Sequence, residues 1–238
     1  MKQWKRFISA EIAQILFETR VLVANCHLFW NPKRPDIKTV QAALLCRAAS
    51  SFLATASKGP YGKGPNQWPD GGLGVSGVVL LGDMNSVPNL QADFCKGEAV
   101  AAWDGKGASG VWSLLDSGAV APGHPEHPSG FSTCRKLGEI ESGFDLYNAY
   151  LSSGRLPAIT TKTDQFAGCI DHIWCTSTPP LGGDGAGLQV TELLEMPWGD
   201  DAVVPNDFKP IPDAVWGSDH LSLGVTLRVP SPPQANIS

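Results

Sequence analysis

Apolar residues arrive in short runs along this chain, and three long Gly/Pro-rich stretches, about residues 58 to 77, 117 to 143 and 178 to 187, separate them. The run Val78-Val79-Leu80-Leu81 stops after a few positions. A membrane helix needs about 20 consecutive apolar residues, so no membrane partner is expected. With 238 residues, 42% of them hydrophobic, the chain has enough apolar material for one domain with a buried core. No internal repeat is visible. Strand-like and helix-like runs alternate, which points to an α/β sandwich rather than an all-helical or all-β domain.

Charge narrows the partners. Eighteen Lys plus Arg against 23 Asp plus Glu leave a formal charge of -5, so nucleic acid cannot be coated by bulk positive charge and any phosphate binding must be local. Six cysteines at 26, 46, 95, 134, 169 and 175 form no C-x-x-C pair, which suggests free thiols in a reducing compartment, cytoplasmic or nuclear. Cys169 and Cys175 on one extended strand would lie roughly 20 Å apart, too far to bridge. The basic start, Met1 to Arg6, leads into Glu11 and Glu18 without the apolar core of a secretory signal.

Ile12 to Phe17 and Arg20 to His27 read as two strands of a hairpin. After Asn31-Pro32-Lys33-Arg34-Pro35, Asp36 is placed as a helix N-cap, and Ile37, Val40, Leu44, Ala48 and Phe52 recur at helical spacing. The seven glycines of the 58 to 77 stretch lack the phosphate-loop spacing and read as a surface insertion. Val75 to Leu81 is a buried strand, and Pro88 suits the first turn of a following helix. Further strands are expected at Phe144 to Ala149, Phe166 to Cys175 and Leu221 to Val229, with a disordered tail over 230–238.

Four polar clusters fall at or within these apolar strands. Asn25-Cys26-His27 ends the first; a lone histidine there is more often a rim or core residue. In Gly82-Asp83-Met84-Asn85, positions i and i+2 of an extended chain face the same way, so a carboxylate and an amide would share one cleft. Such a pair can hold a hard cation or orient a water, and its plain alternative is an Asx turn. In Cys169-Ile170-Asp171-His172-Ile173-Trp174, alternation puts Asp171 on an apolar face, where a carboxylate needs a partner. Gly217-Ser218-Asp219-His220 supplies one. An Asp171–His220 pair would orient the imidazole and favour its protonated form, a donor for a phosphoryl oxygen. His27, Asp83, Asn85, Asp171, Asp219 and His220, with no nucleophile elbow, make a kit for metal-assisted hydrolysis. His124-Pro125-Glu126-His127 has metal-like spacing but lies in a Pro/Gly loop without a third ligand.

Taken in order, N-C-H, G-D-M-N-S, I-D-H-I-W and G-S-D-H-L-S-L resemble the endonuclease/exonuclease/phosphatase superfamily of magnesium-dependent phosphodiesterases. His27-Leu28-Phe29-Trp30-Asn31-Pro32, Asp36-Ile37-Lys38 with Gln41, Trp112-Ser113-Leu114-Leu115, and Phe166-Ala167-Gly168 narrow the resemblance to the branch of carbon catabolite repressor deadenylases, Angel, nocturnin and 2',5'-phosphodiesterases. The resemblance spans about residues 11–229 and implies a two-sheet β-sandwich flanked by helices. It implies that Asp83 and Asn85 bind the attacking water and phosphate near Mg2+, or Mn2+ in its place, that Asp219 organises the metal, and that His27 and His220 contact the scissile phosphate with Asp171 orienting His220. Asn25 would bind substrate, and Pro32 and Phe166 would sandwich a base. Lys33, Arg34 and Lys38 would supply local positive charge, or simply form a solvated helix start.

The same resemblance implies a missing part. The asparagine strand and the metal-binding glutamate that open the family domain have no counterpart here, and Glu11 lies on a different strand, so a domain lacking its N-terminal strands is expected, with uncovered sheet edges, from an incomplete gene model or a processed fragment. The leading expectation is a 3'-5' exoribonuclease acting on single-stranded poly(A). The same core fits a 2',5'-phosphodiesterase or a nocturnin-like nucleotide phosphatase, and the absent glutamate motivates a third reading, an inactive RNA-binding or interaction module. No adaptor or oligomeric state is legible.

Overall fold

The computed structural model describes residues 20–56, 75–89, 107–131, 136–180, 187–199 and 203–230. The expected strand over 12–17 and its hairpin, most of the Gly-rich stretch, the helix after Pro88, Cys95, Cys134 and the tail beyond Pro230 lie outside these residues. In chain order the elements are β1 (Arg20–His27), helix α1 (Pro35–Ala56), β2 (Val75–Asp83), helix α2 (Gly110–Asp116), β3 (Ala119–Val120), β4 (Ile140–Glu141), β5 (Leu146–Asn148), helix α3 (Ala149–Ser152), β6 (Thr161–Lys162), β7 (Ala167–Gly168), β8 (Asp171–Thr176), β9 (Gln189–Leu193) and β10 (Val225–Arg228).

The Val/Leu-rich runs pair into one mixed sheet of order β1-β2-β8-β5. Strand β1 lies parallel to β2, which requires a crossover connection, and α1 lies within it. Strand β8 runs antiparallel to both β2 and β5. As a central strand, β2 is apolar on both faces, with Val78, Val79 and Leu80 all buried.

One face of the sheet carries the helices. Ala42, Cys46, Ala49 and Leu53 of α1, with Val111, Trp112, Leu114 and Leu115 of α2, pack on Val78, Leu80, Leu146 and Trp174. The other face packs on the β9–β10 pair, where Val79, Ile173, Cys175 and Leu188 meet Val190, Leu193, Val225 and Leu227. The expected α/β architecture with two packed sheets is present, with the described helices on one side of it. Tyr150, buried in α3, ties the sheets together: its hydroxyl accepts from the Gly224 N–H at 3.1 Å and donates to the Leu194 carbonyl at 2.9 Å.

Several local expectations shift. Helix α1 begins one residue before Asp36, with Pro35 in the first helical position, where its missing N–H costs nothing. Asp36 is therefore not the N-cap; it sits in the first turn, gripped by the Arg34 guanidinium at 2.9 and 2.8 Å, which holds its carboxyl below the usual carboxylate range. The helix is also rotated from the expected phase. Its buried stripe is Thr39, Ala42, Cys46, Ala49 and Leu53, whereas Leu44 and Phe52 are 56% and 60% exposed. Small side chains let α1 lie close to the sheet, so proximity and not side-chain size selects the face.

The 166–175 run breaks into β7 and β8 because the chain leaves a hairpin with β6 before joining the main sheet. Strand β10 is shorter than 221–229. The 117–143 stretch, expected as loop, holds the small pair β3–β4 and a 3-10 turn over Pro128–Gly130. His127 is wholly buried there, with Nδ1 2.7 Å from the Ser129 hydroxyl and Nε2 2.9 Å from the Gly138 carbonyl. The histidine pair thus closes a turn. Cys26, Cys46, Cys169 and Cys175 are free thiols.

His172 points from β8 into the helix-side core, edge-on to Trp112 with ring centroids 4.9 Å apart, and its Nε2–H donates to the Ser86 carbonyl at 2.9 Å. Burial disfavours the imidazolium and pushes its pKa down from 6.5 to about 4. Between those two values the unfolded chain holds one more proton than the folded one, so stability falls as pH falls through that window. Thermal melts should show this acid slope. His172→Gln keeps a donor for Ser86 but has nothing to titrate, and an undiminished slope in that variant would count against the assignment.

Candidate active site

The register of three strands builds the site. At the end of the sheet, His27 of β1 pairs with Asp83 of β2, and Asp83 pairs with Asp171 of β8. Neighbouring strands lie about 4.8 Å apart, so the pairing alone lines up an imidazole and two carboxylates in a row. All three project on the face that carries the inter-sheet core, because they continue the alternation of Val79 and Ile173. Gly82 makes the tight end of this pairing: its φ is +131°, and a Cβ there would lie 1.9 Å from the Cys26 carbonyl oxygen.

His220 arrives from a separate segment. It is bridged to Thr161, and the Leu221 N–H donates to the Thr160 carbonyl at 2.7 Å. Its Nδ1–H donates to Asp171 Oδ2 at 2.8 Å, which leaves Nε2 facing Asp83 Oδ2 at 3.8 Å. Across the same oxygen, His27 Nε2 stands at 3.3 Å. Asp83 Oδ2 therefore lies between two imidazoles, one 73% exposed and one 30% exposed. Its other oxygen is spent on structure, accepting the Asn85 N–H at 2.8 Å. The Asx turn and the cleft-facing carboxylate are thus the same residue.

Asn85 itself has φ of +47°, a left-handed conformation that asparagine tolerates better than most side chains. Its carboxamide donates to the Leu28 carbonyl at 2.9 Å and to Asp83 Oδ2 at 3.1 Å. Both amide hydrogens are occupied within the protein, so what Asn85 offers a ligand is an acceptor oxygen suited to a water.

Two supporting residues carry no motif in the sequence. Thr160 is fully buried; its hydroxyl donates to Asp171 Oδ2 at 2.6 Å and accepts from the N–H groups of Ile170 and Asp171. Thr161 donates to the Asp219 carbonyl at 2.6 Å. Only their place beside β8 reveals them. Gln41, singled out with the helix motif, accepts the Phe29 N–H at 2.8 Å and so fixes the loop after β1.

The other expected residues lie around this centre. Asn25 is exposed on β1, two positions before His27, and Pro32 is exposed in the turn before α1. Phe166 is 41% exposed on the β6–β7 hairpin, its ring lying over Gly168, where a Cβ would come 2.7 Å from it. Asp219 is held by its backbone with the side chain exposed. Among the described residues no three His, Cys, Asp or Glu side chains are grouped to hold a metal ion. Asp83 and Asn85 present hard oxygen donors, but these alone fall short of the six or so ligands that a magnesium ion takes. A separate hollow of about 330 Å³, lined by Pro197, Trp198, Phe208 and Trp216 among others, contains none of the site residues.

Burial raises the pKa of Asp83, and Asp171 adds to this, while the Asn85 N–H and the two imidazoles oppose it. His220 is raised above 6.5, first by its hydrogen bond to Asp171 and further by the charges of Asp171, Asp83 and Asp219, against a smaller desolvation effect. The centre thus couples a reluctant carboxylate to an imidazole that favours its proton.

No protein-family model matches the chain. The CCR4-Not complex 3'-5'-exoribonuclease subunit Ccr4 of Schizosaccharomyces pombe is 29% identical over 216 residues, which cover 89% of this chain and 27% of that protein. CCR4-NOT transcription complex subunit 6-like of Danio rerio is 28% identical over 227 residues, covering 90% of this chain and 34% of its own length. The chain therefore spans a minor part of the curated relatives it matches. The crystal structure of ANGEL2, a 2',3'-cyclic phosphatase, in complex with adenosine-2',3'-vanadate superposes with a TM-score of 0.50 at 21% identity, over 88% of this chain and 57% of that one. The fold is of the endonuclease/exonuclease/phosphatase type. Within that superfamily the chain belongs with the CCR4/Angel branch.

A raised pKa means that His220 contributes stability in full below its unfolded value of 6.5, and that this is lost as pH rises through the folded value. An NMR titration should place His220 above 6.5, and Asp171→Asn should lower it. The difference in melting temperature between wild type and Asp171→Asn should be widest below 6.5 and narrow above. Identical titration of His220 in both proteins would contradict the pairing.

Proposed function

We propose that this chain carries the hydrolytic centre of a phosphodiesterase, a 3'-5' exoribonuclease of deadenylase type acting on single-stranded poly(A). The observation that carries the reading is the His27–Asp83–Asp171 row with His220 hydrogen-bonded to Asp171 at its end. Two imidazoles directed at one carboxylate suit an anionic, tetrahedral phosphoryl group, which would take the place between them. The relatives named as Ccr4 exoribonucleases support RNA as the substrate class, and their membership of the CCR4-Not complex supports a protein adaptor.

In this reading His220, protonated and oriented by Asp171, donates from Nε2 to a phosphoryl oxygen, and His27 does the same from the other side. The free oxygen of Asn85 and Asp83 Oδ2 accept the hydrogens of a water and aim its lone pair at phosphorus. As the water oxygen bonds to phosphorus, the bond to the leaving 3' oxygen breaks and the shortened chain keeps a 3' hydroxyl. Asn25 contacts the substrate, and Pro32 and Phe166 stack on a base, each base contact contributing about 1 to 3 kcal/mol without selecting strongly among bases. Asp83, assisted by Asp219, is the proposed seat of a divalent cation, Mg2+ or Mn2+, which when bound would neutralise phosphoryl charge. The described side chains do not complete its shell.

The test is incubation of the chain with end-labelled oligo(A) and Mg2+. Stepwise shortening from the 3' end is expected, with loss on chelation, recovery with Mg2+ or Mn2+, and a fall of at least about 10²-fold in Asp83→Ala. Absence of shortening, or an Asp83→Ala variant as fast as wild type, would overturn the reading. Faster cleavage of 2',5'-linked oligomers, of a 2',3'-cyclic phosphate end or of a dinucleotide phosphate would replace poly(A) as the substrate.

A further inference from the structure

The turn after β2 is held from three directions. The Met84 N–H donates to the Ile170 carbonyl at 2.8 Å, His172 donates to the Ser86 carbonyl at 2.9 Å, and the Lys38 ammonium, from the second turn of α1, donates to the Asn85 carbonyl at 2.6 Å. Lys38 is only 6% exposed. Expected as a source of surface charge, it is instead an ammonium brought under the floor of the site, where a charge without partners is expensive. Its partners are that carbonyl and, at longer range, the carboxylates of Glu126 and Asp83. A methionine would fill the same channel without the desolvation cost, so packing does not account for the charge.

We infer that Lys38 is a positioning residue for hydrolysis: by fixing the Asn85 carbonyl it holds the left-handed turn and keeps the Asn85 carboxamide aimed into the site. The geometry links the two ends of one residue. With the backbone at φ +47° and its carbonyl pinned by Lys38, the Asn85 side chain reaches Leu28 and Asp83 Oδ2 at once, and its remaining oxygen has one direction to point. Release of the carbonyl lets the peptide relax toward ordinary right-handed space and swings that oxygen away from the attacking water. A displacement of about 1 Å in such a group can cost 10²-fold in rate. Lys38 touches no substrate; it acts through Asn85.

The inference rests on the proposed hydrolytic reading, and two measurements separate their failures. In the oligo(A) assay, Lys38→Met should lower kcat by about 10²-fold with little change in KM, and Lys38→Arg, which keeps the charge, should recover part of the loss. Should the methionine variant fail to fold in a thermal melt, Lys38→Gln, too short to reach the carbonyl, takes its place with the same expectation. A folded variant with wild-type kcat overturns the role of Lys38 and leaves the hydrolytic reading intact. Should wild type hydrolyse nothing, the side-chain amide resonances of Asn85 decide. In Lys38→Met they should move toward those of a solvated asparagine and return in Lys38→Arg, and unmoved resonances overturn the inference.

Discussion

Strand register is the constraint on which the rest of this molecule depends. Because β1 and β2 run parallel and in step, His27 comes beside Asp83, and because β8 runs antiparallel on the other flank, Asp171 comes beside Asp83 as well. Slipping either pairing by one residue would turn the side chains of that strand to the opposite face and dissolve the row. The apolar alternation farther along the same strands prevents such a slip, since Val79, Ile173 and Cys175 must stay between the sheets. Core burial and site geometry are therefore enforced by a single alignment.

Much of this was legible in the chain, and the reasons are local. An aspartate interrupting the apolar run Ile170 to Trp174 announces a partner, and the histidine after Ser218-Asp219 was the available one; the 2.8 Å contact between Asp171 and His220 joins them. Gly82 before Asp83 and Asn85 marked a strand end needing unusual backbone. Thr160 left no such trace, because a threonine before a short strand is ordinary and its three hydrogen bonds depend on segments about ten residues away folding back on it. The phase of α1 was illegible for a different reason. Hydrophobicity favoured the Leu44 and Phe52 stripe, but the sheet selected the stripe of Ala42 and Ala49, whose small side chains permit close approach.

Lys38 shows how a general expectation can be right in sign and wrong in place. Positive charge near the site was anticipated as a solvated patch, whereas the structure buries it against a main-chain oxygen. Polar atoms beneath a site set where the atoms above them point. In the same way His172, neutral and enclosed by tryptophans, belongs to the scaffold although it neighbours Asp171 in sequence.

The segment that delivers His220 has its own small nucleus, formed by Met196, Ile211 and Leu221 with Trp198, Phe208 and Trp216 around them. It is anchored to the β6 hairpin through the Ile211 N–H and the Lys162 carbonyl, and to the site through Leu221 and Thr160. That arrangement separates two evolutionary freedoms. Substitutions on the outward surface of this flap can reshape what approaches from solvent while the imidazole beneath keeps its bearing, so a lineage could exchange one polymer or nucleotide for another by redecorating the flap and leaving the hydrolytic apparatus untouched.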